Sequence, residues 1–143
     1  MQWITDVAVP IVLGLLSAFG ATWYANKRST ERIRREADDR AADAVRAYIR
    51  ALRATSDHLE ARAMVYGDWD PTKDVINPGG LDAVRDAYNA ATPHFHRLRV
   101  QPEDKSPLRN EFPDFGHHPM EGAGNFHERA EQVQAVLDRG LRP

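Results

Sequence analysis

Residues 3–24 read WITDVAVPIVLGLLSAFGATWY and contain a single charged side chain, Asp6. The run from Val7 to Tyr24 is uncharged over 18 residues. A bilayer core about 30 Å thick requires roughly 20 mostly apolar residues at about 1.5 Å each. Such a segment is helical because lipid offers no hydrogen-bond partners to the backbone. Pro10 lies near the start, where its missing N–H costs least. The stretch predicts a transmembrane helix over residues 3–25.

The flanking residues predict the orientation of this span. Trp3 at one end and Trp23-Tyr24 at the other stand where an aromatic belt contacts the headgroups. No Lys or Arg precedes the span, whereas six basic residues follow it: Lys27, Arg28, Arg32, Arg34, Arg35 and Arg40. Because positive residues stay on the cytoplasmic side, we expect a cell-membrane protein with its N-terminus outside and its C-terminal part cytoplasmic.

Two other interpretations of the apolar run are weaker. A cleaved signal peptide carries basic residues before its apolar core, and the first six residues contain none. A buried helix of a soluble protein is the other alternative, but 18 uncharged residues are long for it. The sequence therefore favours an uncleaved anchor.

Small residues repeat at four-residue spacing within the predicted span. Gly14 and Ala18 form one pair, and Ser17 and Ala21 form another. Such pairs allow two helix backbones to approach closely, which favours dimerisation. The competing interpretation is that Gly, Ala and Ser are simply common in membrane helices.

The basic residues beside the span also have two interpretations. Residues 27–66 hold ten basic and seven acidic side chains, whereas residues 67–143 hold nine basic and thirteen acidic ones. Anionic lipid attracts such a cluster by about 1 kcal/mol per Lys or Arg near the surface. The candidate headgroup-binding residues are Lys27, Arg28, Arg32, Arg34 and Arg35. Topology determination alone explains them equally well. The acidic distal half argues against nucleic acid as a partner.

A long helix is predicted to follow the span. An apolar stripe with spacings of mostly three and four runs through Ala41, Val45, Tyr48, Leu52, Thr55, Leu59, Ala63 and Tyr66. Residues 27–66 contain no Gly or Pro, and Gly67 is the expected stop. Because no cap separates span and stripe, we expect one continuous helix of roughly 60 residues. Residues 26–40, where the stripe is weak, are predicted to form a basic juxtamembrane stalk.

A second helix is predicted to start near Leu81. Its apolar residues alternate spacings of three and four: Leu81, Val84, Tyr88, Ala91, Phe95 and Leu98. This seam requires a partner helix. Pro93 either kinks the helix or stands at the first position of a new helix capped by Thr92. The seam keeps its phase across the proline, which favours a kink or a very short break.

The remaining chain is predicted to form a loop and a third helix. Residues 101–124 are rich in Pro and Gly and lack helical periodicity, so we expect a long loop pinned by Phe112, Phe115 and Met120. Asn125 and Glu128 form a capping-box pattern. The helix after it has the apolar face Phe126, Ala130, Val133 and Leu137, and Gly140 ends it with Leu141 packing back. The predicted fold class is all-α: a single N-terminal transmembrane helix continues into a long helix, and residues 41–143 form a small three-helix bundle on the cytoplasmic side.

Little in the sequence indicates catalysis. The chain has no cysteine, which excludes disulfides, thiolate nucleophiles and cysteine zinc sites. The weak candidates for metal ligands are His94, His96, His117 and His118, with Asp114, Glu121 and Glu128 near in sequence. Their spacing matches no metal-site template, and neither a nucleophile motif nor a phosphate-binding loop is present. We expect no enzymatic activity and no cofactor.

Three classes of function fit these features. The first is a membrane-anchored, non-enzymatic interaction or scaffold protein, whose partners are the lipid bilayer and, through the helical seams, a second copy or another protein. The second is a phage holin-like or toxin-like protein that perturbs the membrane through its small-residue pairs, and the large folded tail argues against it. The third is a metal-binding enzyme or sensor built on the late histidines. The seams favour the first.

Overall fold

The computed structural model describes residues 2–66, 78–114 and 118–143, with the side chains of 17–65, 81–114 and 118–143. The chain divides into two compact units, residues 1–37 and residues 38–143. Three α-helices are described: α1 (Gln2–Tyr66), α2 (Pro78–Ala91) and α3 (Pro119–Asp138). Two 3-10 helices, Thr92–Arg97 and Pro102–Lys105, lie between α2 and α3. The described part contains no β-strand, only an isolated bridge between Leu98 and Leu141. The all-helical prediction is confirmed.

The long first helix follows the predicted course. α1 is continuous over 65 residues and ends at Tyr66, one residue before the predicted stop. Over the described residues, no helix meets the length and apolarity that a membrane crossing requires. Among the predicted span residues, Trp3, Pro10 and Gly14 lie where side chains are outside the described ones. Residues 67–77, which include Gly67 itself, also lie outside the described residues.

The stripe on α1 is buried in the core of residues 38–143. Its buried members are Ala41, Val45, Tyr48, Leu52, Thr55 and Leu59, as the spacing predicts. Three neighbours that the stripe does not include, Ala42, Ile49 and Ser56, are also buried. Ser56 Oγ donates a hydrogen bond of 2.9 Å to the carbonyl oxygen of Ala123 on α3. This bond satisfies a buried hydroxyl that would otherwise destabilise the core.

The seam after Leu81 packs into the same core. Val84, Tyr88, Ala91 and Leu98 are buried, and Leu81 and Phe95 are partly buried against them. α2 ends at Ala91, and the first 3-10 helix, which contains Pro93, begins at the next residue. The break is therefore very short, as the unbroken spacing of the seam predicts. Thr92 Oγ1 donates back to the Tyr88 carbonyl at 2.8 Å and does not cap a new helix. The seam therefore meets its partner helices within the chain.

The start of the third helix differs from the prediction. α3 begins at Pro119, and its N-cap is His118, whose Nδ1 accepts the backbone N–H of Met120 at 3.2 Å. Asn125 lies inside the helix and donates from its side chain to the Asp114 carbonyl at 3.0 Å. The predicted loop over 101–124 was therefore too long, since it also contains the second 3-10 helix. The first turns of α3 include Gly122 and Gly124, which have no side chain to carry an apolar period.

The rest of α3 agrees with the prediction. Phe126, Ala130 and Val133 are buried, and Leu137 is partly buried. Gly140 has a positive φ of 88°, a conformation that side chains with a Cβ rarely adopt. Leu141 then packs against the core and pairs with Leu98, as expected for a chain turning back after the helix.

Residues 99–114, which we call the strap, lie against the bundle. The Tyr88 ring makes edge contacts with Tyr48, Phe95 and Phe112 at centroid distances of 5.4, 5.8 and 5.7 Å. The Tyr88 hydroxyl donates to the Leu108 carbonyl at 3.0 Å. Phe112 therefore pins the strap, as predicted, whereas Met120 is 47 % exposed and does not. Phe115, the third predicted anchor, lies outside the described residues.

Candidate functional site

Three large aromatic side chains of α1 are exposed within six residues. The exposed fractions are 74 % for Phe19, 66 % for Trp23 and 52 % for Tyr24. Single exposed apolar residues are normal, but a cluster this dense indicates a surface that another medium or molecule covers. The cluster lies at the end of the uncharged run that starts at Val7.

Two of these rings have a cationic side chain lying over them. Lys27 Nζ lies 5.4 Å from the centroid of the Trp23 ring, and Arg28 Cζ lies 4.7 Å from that of Tyr24. Residues four apart are neighbours on a helix surface, so the four-residue spacing creates both pairs. Each pair contributes about 0.5–1 kcal/mol when exposed. Amphipathic rings beside long cationic side chains suit a boundary between hydrocarbon and phosphate.

The other predicted headgroup residues are also exposed. Arg32, Arg34 and Arg35 all face solvent. Arg32 Nε lies 3.6 Å from Glu36 Oε1, with both side chains largely exposed, so this ion pair adds little stability. The side chains of Arg28, Arg32 and Arg35 line one open groove on the helix together with Ser29 and Glu31. The five predicted cations thus remain accessible to an anion.

The small residues of the predicted dimerisation pairs lie on the same helix. Ser17, Ala18 and Ala21 are exposed, and the Ala18 carbonyl accepts the hydroxyl of Thr22 at 2.7 Å. Gly14 lies where side chains are not described.

The histidines considered as metal ligands lie in different local environments. His94 is half-buried and His96 exposed, both on the first 3-10 helix. His118 uses Nδ1 to cap α3, and His117 lies outside the described residues. Within 2–66, 78–114 and 118–143, no group of three or more His, Asp or Glu side chains is arranged to hold a metal ion.

Two groups of the bundle have shifted pKa values, one because of burial and the other because of hydrogen bonds. Burial raises the pKa of Tyr48 to about 12, and the nearby Arg129 opposes this shift only in part. A general acid or base works best with a pKa near the operating pH, and Tyr48 is far above it. A hydrogen bond from the Gln101 backbone N–H lowers the pKa of Asp104, and Arg139 lowers it further. Asp104 joins the strap to Arg139 at the end of α3, whereas Tyr48 packs in the core against Tyr88.

No protein family model, curated protein or solved structure matches the chain.

The sequence indicates the rings of Trp23 and Tyr24 and the cations after them, whereas the contact of each ring with a cation and the exposed ring of Phe19 are seen in the structure. The four-residue spacing of Trp23 with Lys27, and of Tyr24 with Arg28, makes the two contacts possible and is visible in the sequence.

Proposed function

We propose that the chain is a single-pass membrane-anchored protein that acts by binding rather than by catalysis. Residues 3–25 form the anchor, the N-terminus lies outside the cell membrane, and the bundle of residues 38–143 lies in the cytoplasm. The observation that carries the proposal is the pair of cation–aromatic contacts, Trp23 with Lys27 and Tyr24 with Arg28, at the end of the uncharged run. Exposing these rings to water is unfavourable. At the headgroup layer the ring contacts hydrocarbon while the cation contacts water and phosphate.

The distribution of charge supports the orientation. The basic excess lies directly after the run, and none precedes it. Such asymmetry keeps the basic side in the cytoplasm.

An interaction role is supported by what the bundle leaves exposed. The apolar seams on α1 and α2 are buried in the chain's own core and are not available to a partner. Met64 and Val65 at the end of α1 remain 79 % and 70 % exposed. A protein partner would cover these side chains and bury their apolar area.

The anchor is tested by extraction and labelling. Because the chain has no cysteine, single substitutions Gln2→Cys and Arg142→Cys report the two ends without further changes. We expect the protein to stay in the membrane pellet after alkaline carbonate extraction. A membrane-impermeant maleimide should label Gln2→Cys in intact cells, and Arg142→Cys only after lysis. Release by carbonate refutes the anchor, and the reverse labelling pattern refutes the orientation.

The interaction role is tested by photo-crosslinking in cells. A crosslinking residue at Met64 or Val65 should capture a defined protein, whereas one at the exposed Arg53 on the preceding turns should not. If neither Met64 nor Val65 gives an adduct, no partner covers this surface.

A further inference from the structure

The positive charges of residues 23–37 lie on one side of α1. Successive residues turn by about 100° around a helix axis, which divides this segment into two halves. The first half, the basic face, contains the exposed aromatic rings and all the cations: Trp23, Tyr24, Lys27, Arg28, Glu31, Arg32, Arg34 and Arg35. The second half, the neutral face, contains Ala25, Asn26, Ser29, Thr30, Ile33, Glu36 and Ala37. A pure topology signal needs positive residues near the span but does not need them on one side. The sidedness therefore favours a surface that the cations contact.

The neutral face is not suited to bind an anion. It holds one carboxylate, Glu36, and no cation. Two hydroxyls on this side donate to their own backbone: Thr22 to the Ala18 carbonyl at 2.7 Å, and Thr30 to the Asn26 carbonyl at 2.8 Å. Such local bonds leave these donors occupied. The basic face is thus the side of the helix that has both positive charge and accessible donors.

We propose that the basic face lies against the phosphate layer of an anionic phospholipid surface, and that α1 tilts toward this face. The inference rests on the proposed anchor and adds which lipids it meets and how the helix is rotated. The partner is identified by charge complementarity: five exposed cations and one carboxylate, Glu31, face the phosphates. Trp23 and Tyr24 lie on the same face, where their rings reach the boundary below the phosphates.

The reach of the cations requires a tilt. From Tyr24 to Arg35 the helix rises about 16 Å, whereas the Debye length at physiological ionic strength is about 8 Å. On an upright helix the last arginines therefore lie outside the lipid field, and the two faces are equivalent. Membrane helices tilt by about 20° on average. With a helix about 10–12 Å wide, a tilt of about 20–30° brings one side about 4–6 Å nearer to the surface than the other. This difference is a large part of the Debye length, so the attraction between cations and lipid phosphates favours the tilt that brings the basic face nearer to the membrane.

The experiment compares two labels on opposite faces. Ser29→Cys lies on the neutral face and Glu31→Cys on the basic face, and the full-length chain has no other cysteine. Each variant carries a donor dye and is reconstituted into vesicles with acceptor dyes on the outer headgroups. Without tilt, the Glu31 label lies about 3 Å farther from the membrane because it is two residues farther along the helix. In phosphatidylglycerol vesicles we expect the opposite order, with the Glu31 label about 1–3 Å nearer. In phosphatidylcholine, or in about 1 M salt where the Debye length is about 3 Å, the upright order should return.

A matched pair of charge variants isolates the cause. In the labelled chains, the triple change Lys27→Gln, Arg28→Gln and Arg32→Gln should abolish the reversed order in phosphatidylglycerol. The control Arg50→Gln, Arg109→Gln and Arg142→Gln removes the same charge from exposed residues of the bundle and should preserve it.

Three results would overturn the inference. The first is a Glu31 label that stays farther away in phosphatidylglycerol, and the second is a reversed order that persists in phosphatidylcholine. The third is spontaneous disulfide dimerisation of Glu31→Cys, which would mean that a second copy covers the basic face. Alkaline extraction of the same vesicles separates this inference from the anchor. An extracted chain refutes both, whereas a resistant chain with the upright order refutes the tilt alone.

Discussion

Arg129 on α3 holds the strap by bonding to backbone carbonyls, and its removal should open the strap. Nη1 donates to the Pro107 carbonyl at 2.7 Å, and Nη2 donates to the Glu111 carbonyl at 2.6 Å. A further approach to the Ser106 carbonyl at 3.5 Å is too long to count. Hydrogen bonds to a charged group contribute about 1.5–3 kcal/mol each. The Glu111 contact is exposed, so water replaces most of it, and the part-buried Pro107 contact dominates. We therefore expect Arg129→Gln to destabilise the strap by about 2–3 kcal/mol.

Hydrogen exchange of the full-length protein in detergent measures this effect locally. The amide of Arg109, which donates to the Ser106 carbonyl at 3.1 Å, reports opening of the strap. A loss of about 2–3 kcal/mol corresponds to exchange about 30- to 150-fold faster. The amides of α3 near Val133 should change less, since the buried residues of α1, α2 and α3 keep the core closed.

Arg109→Gln is the matched control because its side chain is exposed on the strap itself. It should change stability by less than about 0.5 kcal/mol, as surface substitutions usually do. If Arg129→Gln accelerates exchange no more than Arg109→Gln does, the carbonyl contacts do not hold the strap and the reasoning is refuted.

Three further outcomes are expected for residues 38–143. The pKa of Tyr48 is raised from 10.0 to about 12 in the folded chain, so its contribution to the free energy of unfolding is fully present below pH 10 and falls by roughly 3 kcal/mol as pH rises toward 12. Denaturant unfolding measured at several pH values should show this slope, and Tyr48→Phe should remove it. A slope that is unchanged in Tyr48→Phe would contradict the prediction. The pKa of Asp104 is lowered, so its contribution is present above its ordinary value and disappears as pH falls through the folded pKa; acid unfolding of Asp104→Asn should therefore show a shallower pH dependence, and an identical acid midpoint and slope would count against it. At Gly140 an added Cβ meets nothing within 4 Å, but φ is 88°; Gly140→Ala should cost about 1–2 kcal/mol from backbone strain alone, seen as a lower thermal midpoint, and a neutral result would show that the turn relaxes.

The helices could be predicted where apolar side chains repeat at helical spacing. Val45, Tyr48 and Leu52 on α1 and Val84 and Tyr88 on α2 repeat in this way, and all are buried. The start of α3 could not be predicted by the same rule because Gly122 and Gly124 interrupt the pattern. His118 was also a misleading residue, since its ring suggested a metal ligand and instead accepts the N–H of Met120.

The candidate surface on α1 was predictable in composition but not in its contacts. The five cations from Lys27 to Arg35 are visible in the sequence, and the helical period places them on one face. The ring contacts of Lys27 and Arg28 depend on side-chain conformations, which the sequence does not specify.

The sequence by itself determined the all-helical class, the continuous first helix and the faces that must be buried, because these follow from local periodicity and propensity. Only the tertiary structure decided how the strap is held, since Arg129 meets the Pro107 carbonyl and Tyr88 the Leu108 carbonyl across about 20 residues of chain. Backbone carbonyls are present at every position and carry no sequence signal. Which of them a side chain reaches is set by the packing of the helices, and that packing exists only when the whole bundle has formed.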